Sequence, residues 1–254
     1  MLIEMSCGLC TVIMPAYNAA SYIEESIQSV LKQTYHDIEF LIIDDCSSDN
    51  TREIIKKYGL TDRRIRFLAN DTNLGCADTR NRAVALSKGK YIAFIDSDDI
   101  WDEYKLEAEI KELVKRQGQV LYSAYRLIDG DSRVIKDRPI PDVTTLDMLL
   151  RENYICFSTV LIKASLAKKY RMKKNYFHED YCYLLDLLRD GIVLYGLNDY
   201  LVGYRVSDQN RSKNKLKAAR YRWKIYREYL QLGLMDSWKY FISYSFKGIK
   251  KYYV

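Results

Sequence analysis

Residues 89–99 read G-K-Y-I-A-F-I-D-S-D-D. An unbroken apolar run, Tyr91 to Ile95, is bounded by a Gly-Lys turn on one side and by three carboxylates within four residues on the other. Such a run predicts a strand covered on both faces, because a strand with one wet face alternates apolar and polar residues. Working outward, a helix over Ala77 to Ser87 precedes it, and a helix bearing Leu106, Ile110, Leu113 and Val114 follows. The same unit recurs upstream. Ile38 to Ile43 (I-E-F-L-I-I) ends in Asp44-Asp45 and leads into a helix carrying Ile54, Ile55 and Tyr58. Thr11 to Met14 ends in Pro15-Ala16-Tyr17-Asn18 and leads into a helix with Ile23, Ile27, Val30 and Leu31. Ser21 and Glu24, three residues apart, predict a capping box there. Ile65 to Leu68 is a further strand. Strict alternation of the two element types predicts an α/β fold, a mostly parallel sheet with helices on both faces. Ligands of such sheets bind beyond the carboxyl ends of the strands. Pro15–Asn18, Asp44–Asp45 and Asp96–Asp99 should therefore line one rim.

The second half is less regular. Val120 to Ile128 predicts a strand, and Asp129-Gly130-Asp131 a turn into Arg133–Ile135. Phe157 to Ile162 is apolar again, and Ile192 to Val206 alternates loosely as a strand. Glu179 to Arg189 is a helix closed by Gly191.

Size and composition narrow the function. A chain of 254 residues, 48% apolar, can bury one substantial core. It contains no apolar stretch near the ~20 residues needed to cross a bilayer. Met1 to Leu9 contains an acid, lacks a basic n-region and does not read as a signal peptide, so a cytoplasmic location is expected. Of six cysteines, only Cys7 and Cys10 form a C-x-x-C, without a second ligand pair for zinc, so structural thiols are expected. The net charge of +6 is unevenly spread. Residues 211–254 hold twelve Lys and Arg against Glu228 and Asp236, a local +10, which leaves −4 on the rest.

Asp96, Asp98 and Asp99 would repel one another if left unpaired. A hard divalent cation, magnesium or manganese, resolves that conflict and completes its shell with water and substrate phosphates. A bare D-x-D is more readily a helix cap with solvated turn neighbours. Its place at a strand end, beside two other polar clusters, favours the metal.

T-V-I-M-P-A-Y-N-A-A-S-Y-I-E-E-S-I-Q-S-V-L-K-Q-T-Y, L-I-I-D-D-C-S-S-D-N-T, N-L-G-C-A-D-T-R-N-R-A and G-K-Y-I-A-F-I-D-S-D-D follow in order. Together they resemble the family 2 inverting glycosyltransferases of GT-A fold, of the bacterial surface-polysaccharide type. The similarity is dense over about residues 10–115 and thins afterwards. It implies a catalytic domain over residues 1–210, its nucleotide-binding half about 10–115 and its acceptor-binding half 116–210, with 211–254 as a basic amphipathic helical tail. The implied donor is a UDP-sugar and the activity a hexosyltransferase. Pro15, Ala16, Tyr17 and Asn18 would line the nucleotide pocket, with Tyr17 against the base. Asp45 would accept a hydrogen bond from the uracil, Asp96 would contact the ribose beside Ser97, and Asp98 would hold the metal, with Asp99 competing for that role. Arg80 and Asn81 match the family's R-N and would sit near the nucleotide, or else pack their helix.

Inverting transfer needs a carboxylate to take the acceptor's proton and a cation behind the leaving diphosphate. The family carries an E-D pair at the start of a helix in its second half. His178-Glu179-Asp180 fits, with Asp180 as base and Glu179 holding the geometry; taken alone, acids in a first helical turn are ordinary. No Q-x-x-R-W follows, so one transfer per encounter is expected rather than processive synthesis.

In the tail, Leu216, Ala219, Trp223, Tyr226 and Leu230 form one predicted stripe, and Trp238, Phe241, Ile242, Ile249 and Tyr252 another, both among Lys and Arg. This suits an anionic membrane surface, or else docking on the catalytic body. No nucleic-acid motif is present. The sequence thus implies a cytoplasmic transferase, peripheral on the inner face of the cell membrane, acting on a glycan or lipid-linked acceptor. A catalytically silent nucleotide-sugar or membrane-binding subunit and a sugar-nucleotide nucleotidyltransferase are the alternatives. The second would want a Gly-rich phosphate loop that Pro15–Asn18 does not provide.

Overall fold

The computed structural model describes residues 8–176, 178–206 and 215–253. Cys7, and with it the C-x-x-C pair, lies outside the described residues, as do residues 211–214 of the tail. The other five cysteines are free thiols, and burial pushes the Cys10 thiol up to about 12.

The first half is built from β1 (Cys10–Ala16), α1 (Ile23–Leu31), β2 (Ile38–Asp44), α2 (Thr51–Thr61), β3 (Ile65–Ala69), α3 (Cys76–Leu86), β4 (Tyr91–Phe94), β5 (Ile100–Trp101) and α4 (Lys105–Lys115). The second half adds β6 (Val120–Ile128), β7 (Val134–Arg138), β8 (Val143–Thr144), α5 (Leu146–Arg151), β9 (Val160–Lys163), α6 (Ala164–Ala167), α7 (Glu179–Arg189) and β10 (Leu194–Arg205). α8 (Lys215–Lys224), a π-turn over Ile225–Tyr229 and α9 (Leu234–Tyr253) follow.

All these strands join one sheet in the order β3-β2-β1-β4-β9-β6-β10-β5, with β7 on β6 and β8 on β10. The run β3-β2-β1-β4 is parallel throughout. β9 is inserted antiparallel between β4 and β6, and β6 pairs parallel with β10. Side chains alternate across the pleat. Ile13, Leu41, Ile43, Ile92 and Phe94 therefore face a core made with α3, α5, α7 and the tail. Val12, Met14, Phe40, Ile42 and Ala93 face the opposite core, made with α1, α2 and α4. This double cover is the reason the strands read as continuous apolar runs.

Several local expectations are corrected. The capping box does not form: α1 starts at Ile23 with no side-chain cap. Glu24 instead accepts the Tyr58 hydroxyl at 2.9 Å, and the entry turn is held by the next loop, Ala19 N–H donating to Thr51 Oγ1 at 2.7 Å. The apolar run from Phe157 divides into a 3₁₀ turn over Phe157–Thr159 and a strand over Val160–Lys163. There the Thr159 hydroxyl donates to the Cys156 carbonyl at 2.6 Å, competing with the ladder. β7 covers Val134–Arg138, starting two residues beyond a left-handed Ser132.

The tail packs on the body with a different face from the one predicted. Ala218, Arg222, Ile225 and Tyr226 are buried, because the Arg222 guanidinium enters an aromatic box 3.6 Å from the Tyr181 ring centroid and 4.6 Å from that of Tyr244. The Tyr226 hydroxyl donates to the Leu150 carbonyl at 2.6 Å.

β10 bends past the loop before β8, and Gly196 permits the approach: its N–H donates to the Asp142 carbonyl at 2.8 Å. A Cβ at this position would lie 2.0 Å from the Pro141 carbonyl oxygen. Gly196→Ala is expected to cost roughly 1–3 kcal/mol, read as a lower denaturant midpoint at unchanged m-value.

Candidate active site

The parallel register carries three loops to one rim. Ala16 pairs with Asp44 and Ile13 with Phe94, so β1, β2 and β4 end side by side. Asn18 adopts φ 48°, a left-handed conformation that asparagine tolerates. Its side-chain oxygen accepts Ser48 N–H at 2.9 Å, and its own N–H donates to Ser47 Oγ at 3.0 Å. These bonds tie the β1 loop to the β2 loop. Ala16 is buried beneath, while Pro15 is half-buried and the Tyr17 ring is 52% exposed, turned out as an open aromatic face.

Behind it the two acids of the β2 end divide. Asp44 is buried and paired with Arg52, Nε at 2.9 Å. Asp45 is also buried; it accepts Asn70 Nδ2 at 2.6 Å and Leu74 N–H at 2.9 Å on one oxygen and Gly75 N–H at 2.8 Å on the other. The left-handed Gly75 (φ 84°) turns its N–H inward. A carboxylate has about four acceptor positions, so one remains for a ligand donor.

The third loop stacks its carboxylates in depth. Asp96 is partly exposed and bonded to the Arg80 guanidinium; its N–H donates to Ser158 Oγ at 3.0 Å. Asp98 is half-buried, and burial first, then the Asp96 charge, pushes it up to about 6. Asp99 is fully buried: Ser158 Oγ donates to one oxygen and Arg205 N–H to the other at 3.0 Å. Burial followed by the Asp98 and Asp96 charges holds Asp99 well above the usual carboxylate range. Ser97 lies between them, half-buried.

Arg205 was not foreseen. It ends β10 fully buried, donates Nε to the Asp98 carbonyl at 2.8 Å, reaches Glu25 on α1 at 2.6 Å, and caps the Asp129 and Gly130 carbonyls at 3.0 and 3.1 Å. Its only local signal was an arginine closing the aromatic and aliphatic run Y-L-V-G-Y.

The expected base stands next to Glu179, which Arg80 ties to this loop. Glu179 and Asp180 open α7, where acids meet the positive end of the helix dipole. Asp180 is half-exposed, with one oxygen accepting Tyr181 N–H at 2.8 Å. Buried Arg80 joins the halves: one end of its guanidinium bonds Asp96, the other lies 3.9 Å from Glu179, and its plane sits 4.9 Å from the Phe157 ring centroid. Asn81, the other half of the R-N pair, exchanges two bonds with the Met172 backbone at 2.8 and 2.9 Å, fixing the loop before α7.

Among the described residues no three His, Cys, Asp or Glu side chains form a ready-made cation cage. The donor set fits magnesium or manganese nonetheless, since these hard ions need only one or two carboxylate oxygens beside substrate phosphates. Without an ion, an acid held near 6 rather than its ordinary value destabilises the fold once ionised. That penalty is absent below about pH 4, grows between pH 4 and 6, and is full above. Asp98→Asn is therefore expected to stabilise the metal-free protein by roughly 1–3 kcal/mol at pH 7.5. The gain should vanish near pH 4 in a series of thermal melts.

Known proteins share this layout. Residues 11–181 match the family model described as glycosyl transferase family 2. A Bacillus subtilis glycosyltransferase provisionally assigned to teichuronic acid biosynthesis is 36% identical, over 96% of this chain and 97% of its own. A UDP-Glc:alpha-D-GlcNAc-diphosphoundecaprenol beta-1,3-glucosyltransferase of Escherichia coli is also 36% identical, over 96% of this chain and 95% of its own. Among solved structures, a Pyrobaculum calidifontis mannosyltransferase in complex with GDP-Man and Mn2+ superposes with a TM-score of 0.71 at 17% identity, over 89% of this chain and 65% of that one. The sheet order, the rim of acids and these matches lead to one conclusion: the chain belongs to glycosyltransferase family 2, has the GT-A fold and is a glycosyltransferase.

Proposed function

We propose that this enzyme transfers a hexosyl residue from a UDP-sugar to a hydroxyl of a lipid-linked glycan, with inversion, in the assembly of a surface polysaccharide. The observation that carries the proposal is the Arg80 bridge, which sets Asp96 and the α7 acids around one cleft. A diphosphate donor and a sugar acceptor must meet in just such a space. The relatives named for polysaccharide assembly, one with a UDP-Glc donor and a diphosphoundecaprenol acceptor, support the substrate classes.

Each residue then has a part. Pro15 to Asn18 form the wall of the base pocket, with Tyr17 stacking, and the open acceptor position of Asp45 takes the base N–H. Asp96, oriented by Arg80, accepts from the ribose, and Ser97 lines the same edge. Asp98, with Asp99 behind it, would hold manganese or magnesium, and the ion so held would supply positive charge to the departing diphosphate. Asp180 takes the acceptor proton as the acceptor oxygen attacks the anomeric carbon, and the bond to the diphosphate oxygen breaks on the opposite face. Glu179, set by Arg80, keeps the first turn of α7 in register. The protein works in the cytoplasm, peripheral to the membrane through residues 211–254.

The test is nucleoside diphosphate release from a panel of UDP-, GDP- and dTDP-sugars with manganese and a GlcNAc-diphosphoryl lipid. Release of UDP with an inverted anomeric centre in the product, lost in Asp98→Ala, is expected. UDP binding by calorimetry with no turnover for any donor would identify a silent binding subunit instead.

A further inference from the structure

The inner side of α9 is already spent. Ser237 is buried, the Tyr240 hydroxyl donates to Asp147 at 3.0 Å, Phe241 meets the Trp223 ring edge-on, and Lys247 pairs with Glu152 at 3.1 Å. These contacts fix the rotation of the helix, and the residues on its other side cannot turn inward. That outer side carries Leu234, Trp238, Ile242 and Phe246, one every four residues and hence one stripe, with Met235 beside it; Trp238 sits at its edge, one side of the ring against Trp223 and the other open. All five are between 49% and 87% exposed. A contiguous apolar stripe on a docked helix marks a contact surface rather than chance exposure.

Charge identifies the occupant. The segment from 211 onward carries +10, and Lys239 stands exposed beside Trp238. A second copy of this chain on the same face would oppose +10 with +10. A nucleic acid would leave Leu234, Met235 and Ile242 unmatched. No helix of the described residues is long and apolar enough to cross a membrane. An amphipathic helix with Trp and Phe on its apolar face and Lys at its border lies in the plane of an anionic lipid surface. We infer that the stripe Leu234, Met235, Trp238, Ile242 and Phe246 is the face by which the enzyme lies on a bilayer of anionic phospholipid. This rests on the proposed lipid-linked acceptor for its biological sense, though not for its geometry.

The docked helix also bears on the chemistry. α8 and α9 together enclose Arg222, which stacks on Tyr181, the residue after Asp180. The tail that meets the lipid thus braces the turn that carries the base.

The test is flotation of the full chain with phosphatidylcholine vesicles, with and without phosphatidylglycerol, at low and high salt. The wild type is expected to float only with the anionic vesicles and to be released by salt. Met235→Ser/Ile242→Ser/Phe246→Ser, which spares Trp238 because that ring packs on Trp223, should lose at least about tenfold in partitioning while keeping its melting temperature. It should also keep UDP release with a short, water-soluble acceptor. Lys239→Glu, which leaves the apolar stripe intact, should weaken binding to the anionic vesicles alone. Equal flotation of wild type and triple variant overturns the inference, as does a wild-type dimer that the triple variant converts to monomer in light scattering. Vesicle binding by a chain that turns over no donor would leave the docking face standing and remove the proposed reaction.

Discussion

Asp180→Asn is expected to lower kcat by about 10²–10⁴-fold, the usual worth of a positioned general base, with UDP affinity unchanged. The substitution keeps shape and volume, and the amide oxygen can still accept Tyr181 N–H, as the carboxylate does at 2.8 Å. The start of α7 therefore stays in place, and what is lost is the capacity to take a proton. A steady-state assay with the acceptor varied, beside UDP titration calorimetry, separates the two. Wild-type turnover in Asp180→Asn would remove this residue as the base. Glu179→Gln is the control: its carboxylate is buried against Arg80 and not open to the acceptor, so its effect should be on stability first.

Arg80→Met is the second large effect, expected to cost about 3–5 kcal/mol of stability. Arg80 is buried with one carboxylate at each end of its guanidinium and the Phe157 ring beneath. Methionine fills part of the volume but leaves Asp96 and Glu179 facing each other without a cation. Arg80→Lys should recover only part of the loss, because a single ammonium cannot span both acids as the planar fork does. Donor affinity should fall in both variants, since Asp96 loses the group that orients it. Denaturant melts with and without UDP read both quantities. A melting curve for Arg80→Met superposable on wild type would show that the bridge does not hold the halves together.

The parts of this molecule legible in the sequence are those fixed by local physics. β2 was visible because a strand buried on both faces must be apolar throughout, and α7 because acids open it and Gly191 closes it. The rim of acids followed from the strand ends. What could not be read depends on partners distant in the chain. Nothing near residue 160 records that β9 runs antiparallel between β4 and β6. Glu24 looked like half of a capping box, yet it serves Tyr58 on α2. Arg205 and Arg222 are buried arginines whose stacking and hydrogen-bonding partners lie far off in sequence, and hydropathy patterns place arginines outside. Arg222 also shifted the phase of the tail: with a guanidinium facing inward, the buried side of α8 moved off the stripe that apolar residues alone predict.

The position of β9 sets the order in which the molecule can be completed during its synthesis. Until the ribosome has released residue 163, the nascent chain holds β4 as an open sheet edge, its hydrogen-bonding groups and the neighbouring Phe94 uncovered. The first half of the sheet, though earlier out of the exit tunnel, waits for a segment made some seventy residues later to close over it. A stall or truncation inside that interval would leave an adhesive strand exposed rather than a smaller working enzyme.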